Sequence, residues 1–189
     1  MERQPEAPRI GRVTRVMRSL LDVMRSEAGT LEINLAPHRP ADLVARAIEK
    51  LRARAASKSV ELDGLVGETE PLFCDGDRIV EVLAQLLRNA IDASPPRSAI
   101  QVRAIPRDGE LLVTVTDQGP GIDVSAWPYI FDGAWQAPAR SKPGDRKPGL
   151  GLGLAVCKGI VKAHGGVIWI DSRMGQGTTF LFTLPTHKP

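Results

Sequence analysis

The sequence predicts an α+β fold: a two-layer α/β sandwich of one mixed, mostly antiparallel sheet with helices on one face, entered by a separate amphipathic helix. Three observations predict it. Segments with a helical apolar period and segments with strand character occur in mixed order, without βαβ alternation. Two strand pairs are joined by Gly-bearing turns, which antiparallel neighbours can use and parallel ones cannot. The N-terminal helix carries an apolar seam of its own.

Residues Arg9 to Glu27 read as that entering helix. Ile10, Val13, Met17, Leu20 and Met24 alternate spacings of three and four, and Val16 and Val23 widen the stripe. Such a seam asks for a partner helix; packing against its own domain is the alternative. Gly29 ends the helix. Leu31 to Leu35 reads as a short strand, and Pro37 and Pro40 mark a linker. Asp42 to Ser57 is the next helix, with Leu43, Ala47, Ile48 and Leu51 on one face. Val60 to Leu65 and Pro71 to Cys74 read as strands. Asp77 to Ala93 is a strongly patterned helix with a broad face of Ile79, Val82, Leu83, Leu86, Leu87, Ala90 and Ile91. Asp75 or Asp77 can cap it, and Pro95-Pro96 stop it. Ile100 to Ile105 and Leu111 to Thr116 form a hairpin across Asp108-Gly109. A long irregular stretch runs from Asp117 to Pro148, a length usual for functional lids. Leu150 to His164 reads as a helix ended by Gly165-Gly166. Val167 to Asp171 and Thr178 to Leu184 close the fold as a hairpin across Met174 to Gly177.

Composition sets outer bounds. The chain has 189 residues, 42% hydrophobic and 25% charged, which suits one globular domain plus a helix. Aromatics are 4%, so aliphatic side chains fill the core. The formal net charge of +3 is a mild basic excess and argues for no nucleic-acid partner. Cys74 and Cys157 are far apart, which argues against a zinc site or a disulfide scaffold and fits a reducing, cytoplasmic setting. No apolar stretch approaches a membrane span, so no membrane contact is expected within the chain.

Four motifs carry chemistry. Asp117-Gln118-Gly119-Pro120-Gly121-Ile122 follows a strand; its glycines let a loop come close to a ligand, and its carboxylate can accept from an exocyclic amine. Gly149-Leu150-Gly151-Leu152-Gly153-Leu154 opens a helix, where free backbone N–H groups and the helix dipole favour an anion. It lacks the Gly-Lys-Ser/Thr ending of a P-loop. Asn89, in Leu86-Leu87-Arg88-Asn89-Ala90-Ile91, offers a hard oxygen suited to Mg2+. Gly175-Gln176-Gly177-Thr178 is by itself a hairpin turn. Each alone has an ordinary structural explanation.

In this order and at these spacings the motifs resemble the ATP-binding catalytic domain of sensor histidine kinases, within the ATPase superfamily shared with gyrase, Hsp90 and MutL. The resemblance covers roughly Pro37 to Pro185 and implies a Bergerat-type ATP-binding fold. It implies that Asp117 binds the adenine amine, that Gly119, Gly121 and Ile122 shape that pocket, and that Asn89 coordinates Mg2+ on the phosphates. Gly149, Gly151 and Gly153, with Leu150, Leu152 and Leu154, would present the phosphate loop. Thr178 lies in the box closing the adenine side. Phe131, in Tyr129-Ile130-Phe131-Asp132, matches the family's Phe motif before an ATP lid at Asp132 to Pro148. The lid is basic through Arg140, Lys142, Arg146 and Lys147, and Lys147 is the expected cationic catalytic residue.

Three departures from the family pattern bear on chemistry. Gln85 stands where hydrolytic relatives carry a glutamate; an amide is no general base, so phosphoryl transfer is favoured over hydrolysis. Asp92 and Ala93 stand where many of these kinases have a basic residue and an aromatic. Gln136 falls near a usual lid arginine. The acceptor histidine is also missing: His38 is in a Pro-flanked linker, His164 in the His-Gly-Gly turn and His187 in the tail. Residues 1–36 therefore resemble the tail and second helix of a truncated dimerisation bundle with its linker, and 37–189 the catalytic domain. The partners implied are ATP or ADP, a phosphoacceptor helix of the same or a partner subunit, and a response regulator, with a homodimer as one outcome of the seam. The alternatives are a related serine kinase of the anti-sigma type, a gyrase-type hydrolase, and an ATP-binding module without turnover.

Overall fold

The computed structural model describes Met17 and residues 20–133 and 151–186. After a helical segment α1 (residues 20–27) come β1 (Ala36–His38), α2 (Pro40–Ser57), β2 (Glu61–Val66), β3 (Leu72–Cys74), α3 (Gly76–Ala93), β4 (Ala99–Arg107) and β5 (Glu110–Asp117). A short 3-10 turn (Val124–Ala126), α4 (Leu152–Ala163), β6 (Ile168–Ser172) and β7 (Thr178–Pro185) complete it. Five strands form one sheet in the order β2-β4-β5-β7-β6. Only β2 and β4 run parallel; β4, β5, β7 and β6 are antiparallel in turn. The parallel pair is joined through β3 and α3, so the mixed, mostly antiparallel sheet is as the sequence predicts.

The alternation along the strands decides which face is buried. Val102, Val115, Phe180 and Ile170 lie side by side across four strands and are all buried. The next row out of phase, Arg103, Thr114, Leu181 and Trp169, is not. Against the buried rows α3 lies between α2 and α4. Its face of Ile79, Val82, Leu83, Leu86, Leu87, Ala90 and Ile91 is fully buried. Each such side chain contributes roughly 1.5–3 kcal/mol by leaving water, which makes α3 the best-anchored helix. Asp75 caps it, accepting from the Arg78 N–H at 3.1 Å.

The largest departures from the sequence reading are at the first strand and the start of α2. No strand forms over Leu31 to Leu35. The strand is Ala36–His38, which pairs antiparallel with Leu72–Cys74 in a separate two-stranded ladder. The preceding residues are held by side chains instead: the Asn34 N–H donates to the Asp75 carboxylate at 3.0 Å, and Leu31 packs on the core. Pro37 is tolerated because a two-stranded ladder leaves an edge that needs no donor. Pro40 starts α2 and marks no linker, since a proline at the first helical position loses no hydrogen bond.

The entering helix uses two faces. Asp22 is buried and forms a two-pronged ion pair with Arg78 of α3, at 2.8 and 3.2 Å. Val23 packs on the core, and Ser26 sits so close to Gly159 of α4 that a β-carbon there would lie 2.6 Å from its hydroxyl. Met17, Leu20, Leu21 and Met24 remain exposed. The helix thus docks on its own domain through Asp22, Val23 and Ser26 while the seam face stays open. Ile10, Val13 and Val16 lie outside the described residues.

Candidate functional site

Helix α3 supplies the floor. Gln85, Asn89 and Ala93 recur every four residues, so they share one face, one above another. That face is half-exposed at Gln85 and Asn89, where the Gln85 amide donates to Asn89 Oδ1 at 3.0 Å. One glycine loop closes on each end of the stripe. A β-carbon at Gly153 would stand 2.6 Å from the Gln85 amide nitrogen, and one at Gly119 would stand 3.0 Å from the Ala93 β-carbon. The two glycine motifs, 34 residues apart in sequence, therefore flank Asn89 one helical turn to either side.

The Gly119 end is built on the sheet. Asp117 ends β5 and is 4% exposed. Its Oδ1 accepts from the Gly119 N–H at 2.8 Å and the Thr178 N–H at 3.2 Å. Burial pushes the carboxyl above its usual range, and the two N–H donors act against that push without cancelling it. Both bonds fall on Oδ1. Gly121 has φ +75, and a β-carbon there would meet the Arg173 carbonyl at 2.1 Å. Gly177 has φ +89 and the same relation to the Asp117 carbonyl. Only glycine allows these backbones to touch. The Gly175 N–H completes the lock by donating to the Pro120 carbonyl at 2.7 Å.

Ser172 binds this end together and was not foreseen. Its hydroxyl donates to the Gly177 carbonyl at 2.9 Å, accepts from the Ile122 N–H at 2.8 Å, and lies 2.9 Å from the Thr178 hydroxyl. Aligning the closing hairpin around its Gly-Gln-Gly turn would have placed Ser172 opposite Thr178, the pairing observed. Ile122 packs on the core, and Phe131 meets Phe180 edge to face with ring centroids 6.4 Å apart.

The other end is the start of α4. Gly151 has φ +72 and precedes the first helical residue, and no side chain caps the helix. Its first N–H groups are thus offered to whatever lies over Gln85. Leu154 is buried and Leu152 partly so; they anchor the turn from below. Gly149, Leu150, Lys147 and the other basic lid positions Arg140, Lys142 and Arg146, with Gln136, lie outside the described residues.

The remaining expected residues have structural partners. The Asp92 carboxylate is held by the Arg54 guanidinium of α2 at 2.6 and 2.9 Å. His164 donates from Nδ1 to the Ile160 carbonyl at 2.8 Å and accepts at Nε2 from the Asp75 N–H at 2.9 Å. Burial lowers its pKa, which matches a ring that must stay neutral to accept there. His38 lies against Gly76 at the start of α3. Among the described residues no three His, Cys, Asp or Glu side chains converge on a metal position. No helix among them is long and apolar enough to cross a membrane.

Comparison with known proteins agrees with the fold. Residues 74–188 match the family described as histidine kinase-, DNA gyrase B-, and HSP90-like ATPase. The chain is similar to the adaptive-response sensory kinase SasA of Synechocystis sp., 34% identical over 176 residues covering 92% of this chain and 45% of that protein. It is also similar to the sensor protein SrrB of Staphylococcus aureus, at 31% identity, covering 92% of this chain and 30% of that one. The chain therefore spans less than half the length of these relatives. Among solved structures, full-length ShkA in complex with AMPPNP superposes with a TM-score of 0.82 at 26% identity, over 94% of this chain and 36% of that one. The mycobacterial sensor histidine kinase MprB superposes at 0.70 with 27% identity, over 82% of this chain and all of that one. The chain belongs to the histidine kinase-, DNA gyrase B-, and HSP90-like ATPase family.

Proposed function

We propose that this chain is the catalytic part of a two-component sensor histidine kinase, which binds Mg-ATP and transfers the γ-phosphoryl group to a histidine on a dimerisation bundle. The observation that carries the reading is the Asn89 face of α3, bracketed by two glycine loops, with the buried Asp117 carboxylate at one end. The Asp117 carboxylate accepts from the adenine amine, and Gly119, Gly121, Ile122 and Thr178 wall that pocket. The uncapped start of α4, at Gly151 and Gly153, donates N–H groups to phosphate oxygens. Lys147, which lies outside the described residues, is the cationic residue that the resemblance assigns to the phosphates.

The donor set fits Mg2+. One amide oxygen, Asn89 Oδ1, is on the site face of α3, and among the described residues no carboxylate cage forms; Mg2+ in phosphate sites takes most of its ligands from phosphate and water. When bound it neutralises phosphate charge. The chain's own residues position: Asn89 is oriented by the Gln85 amide, and Gln85 cannot take a proton from water, which favours transfer over hydrolysis. His164 is committed to two structural hydrogen bonds, which supports an acceptor on another helix. We read residues 1–36 as the end of the dimerisation bundle and its linker, 37–189 as the catalytic domain, the setting as cytoplasmic, and a response regulator as the final acceptor. The SasA relatives, named as sensory kinases, support the kinase reading.

The test follows the γ-phosphate of labelled Mg-ATP. This chain is mixed with a helical hairpin bearing the acceptor histidine of the full-length protein. Acid-labile, base-stable label on the hairpin is expected, and none on this chain alone. Free phosphate as the sole product would mean hydrolysis; nucleotide bound without turnover would leave a binding module.

A further inference from the structure

The described part of the site has an electrostatic deficit. Gln85, Asn89, Asp117, Gly119, Gly153 and Thr178 carry no positive charge, and Asp92 adds a negative one. On a helix, residues three apart hold their β-carbons about 5–6 Å from each other, so Asp92 stands beside Asn89. A carboxylate there repels a polyphosphate. Arg54 answers it. Its guanidinium crosses from α2 and grips Asp92 through Nη2 at 2.6 and 2.9 Å and through Nε at 3.2 Å. Nη1 takes no part in that grip. The pair is exposed: 40% of the Arg54 side chain and 35% of Asp92 face water.

Its neighbours are placed differently. Lys58 is spent on the helix terminus, donating to the Ile91 and Asp92 carbonyls at 2.6 and 3.0 Å. Arg88, next to Asn89, buries its Nε within the fold. Arg54 combines a solvent-facing fork with a partner on the Asn89 side of α3. An arginine fork matches phosphate as well as carboxylate. A long side chain at the surface exchanges between such partners at small cost, because exposed pairs are weak.

We propose that Arg54 is a nucleotide-positioning residue, parked on Asp92 in the free protein and shared with the phosphate chain of bound nucleotide. Asp92 then sets the strength of binding by competing for the fork. This rests on the nucleotide reading above.

The experiment measures dissociation constants of the protein for Mg-ATP and for adenosine, at two salt concentrations, with thermal unfolding of every variant. In Arg54→Gln, ATP weakens about tenfold while adenosine is unchanged, and the salt dependence for ATP becomes shallower. In Asp92→Asn, ATP tightens severalfold because the fork is released. Arg54→Lys recovers part of the loss, since a point charge replaces the fork. Unchanged ATP affinity in Arg54→Gln overturns the proposal. So does equal weakening of ATP and adenosine, which marks a packing role. If the unsubstituted protein binds neither ligand, the nucleotide reading itself fails; if it binds both and Arg54→Gln alters neither, only this inference fails.

Discussion

The two ends of the site are built on different principles. At the Asp117 end every position is fixed by backbone: β5 and β7 in register, two glycines at positive φ in contact with neighbouring carbonyls, and Ser172 tying the turn to Ile122 and Thr178. At the Asn89 end the functional atoms sit on half-exposed side chains, joined by one amide-to-amide bond and facing an uncapped helix start. The difference matches the tasks proposed for the two ends. A base is recognised by one acceptor held rigidly in an apolar wall, where misplacement by an ångström removes selectivity. A triphosphate is bound by charge and by several donors, which can be assembled as the ligand arrives.

Substitutions can break this contrast, and their expected effects run from large to small. Gly121→Ala should cost about 3–4 kcal/mol of stability, since it adds left-handed strain to a clash with the Arg173 carbonyl; denaturant unfolding measures it. Asp117→Asn should weaken ATP about 100-fold and leave the fold intact, because the amide oxygen can keep both N–H partners while its NH2 now faces the adenine amine. It also has a signed pH signature. The folded carboxyl titrates above its unfolded value, so its protonated form stabilises the fold at low pH and that contribution is lost as pH rises through the folded pKa. The Asn variant should therefore gain on the unsubstituted protein from acidic toward neutral pH. Asn89→Ala should weaken ATP about tenfold in Mg2+ and barely affect adenosine, as calorimetry would show. The smallest effect is at His164. Its pKa is lowered from the ordinary 6.5, so the stability it gives is full above that value and falls as pH drops through the folded pKa. Urea midpoints should fall on going from neutral to acid pH, a loss absent in His164→Asn.

The same contrast explains what was legible in the sequence. The Asp117 loop and the Asn89 helix were readable because their residues are local: a glycine run after a strand, an amide on a strongly patterned helix. The sheet was readable because its strands alternate cleanly about short turns. Ser172 and Arg54 were not, for a common reason: each acts through a partner brought close by the fold, Ser172 across the β6–β7 register and Arg54 from a different helix. The misplaced first strand has a similar origin. Leu31 to Leu35 has strand-like composition, but pairing depends on where β3 lies, and β3 meets the chain at Ala36–His38. The entering helix shows the limit of a periodic pattern, which marks an apolar face without saying that Asp22, off the seam, would be the buried residue.

The most direct measurement is a nuclear magnetic resonance titration of backbone and side-chain amides, first with adenosine and then with Mg-ATP. Adenosine should shift the Gly119 and Thr178 amides and leave Gly153 and the Asn89 side chain unmoved. Mg-ATP should shift both groups with one shared dissociation constant. Saturable ATP binding that moves neither Gly119 nor Thr178, or no binding of either ligand, would contradict the assignment of this site.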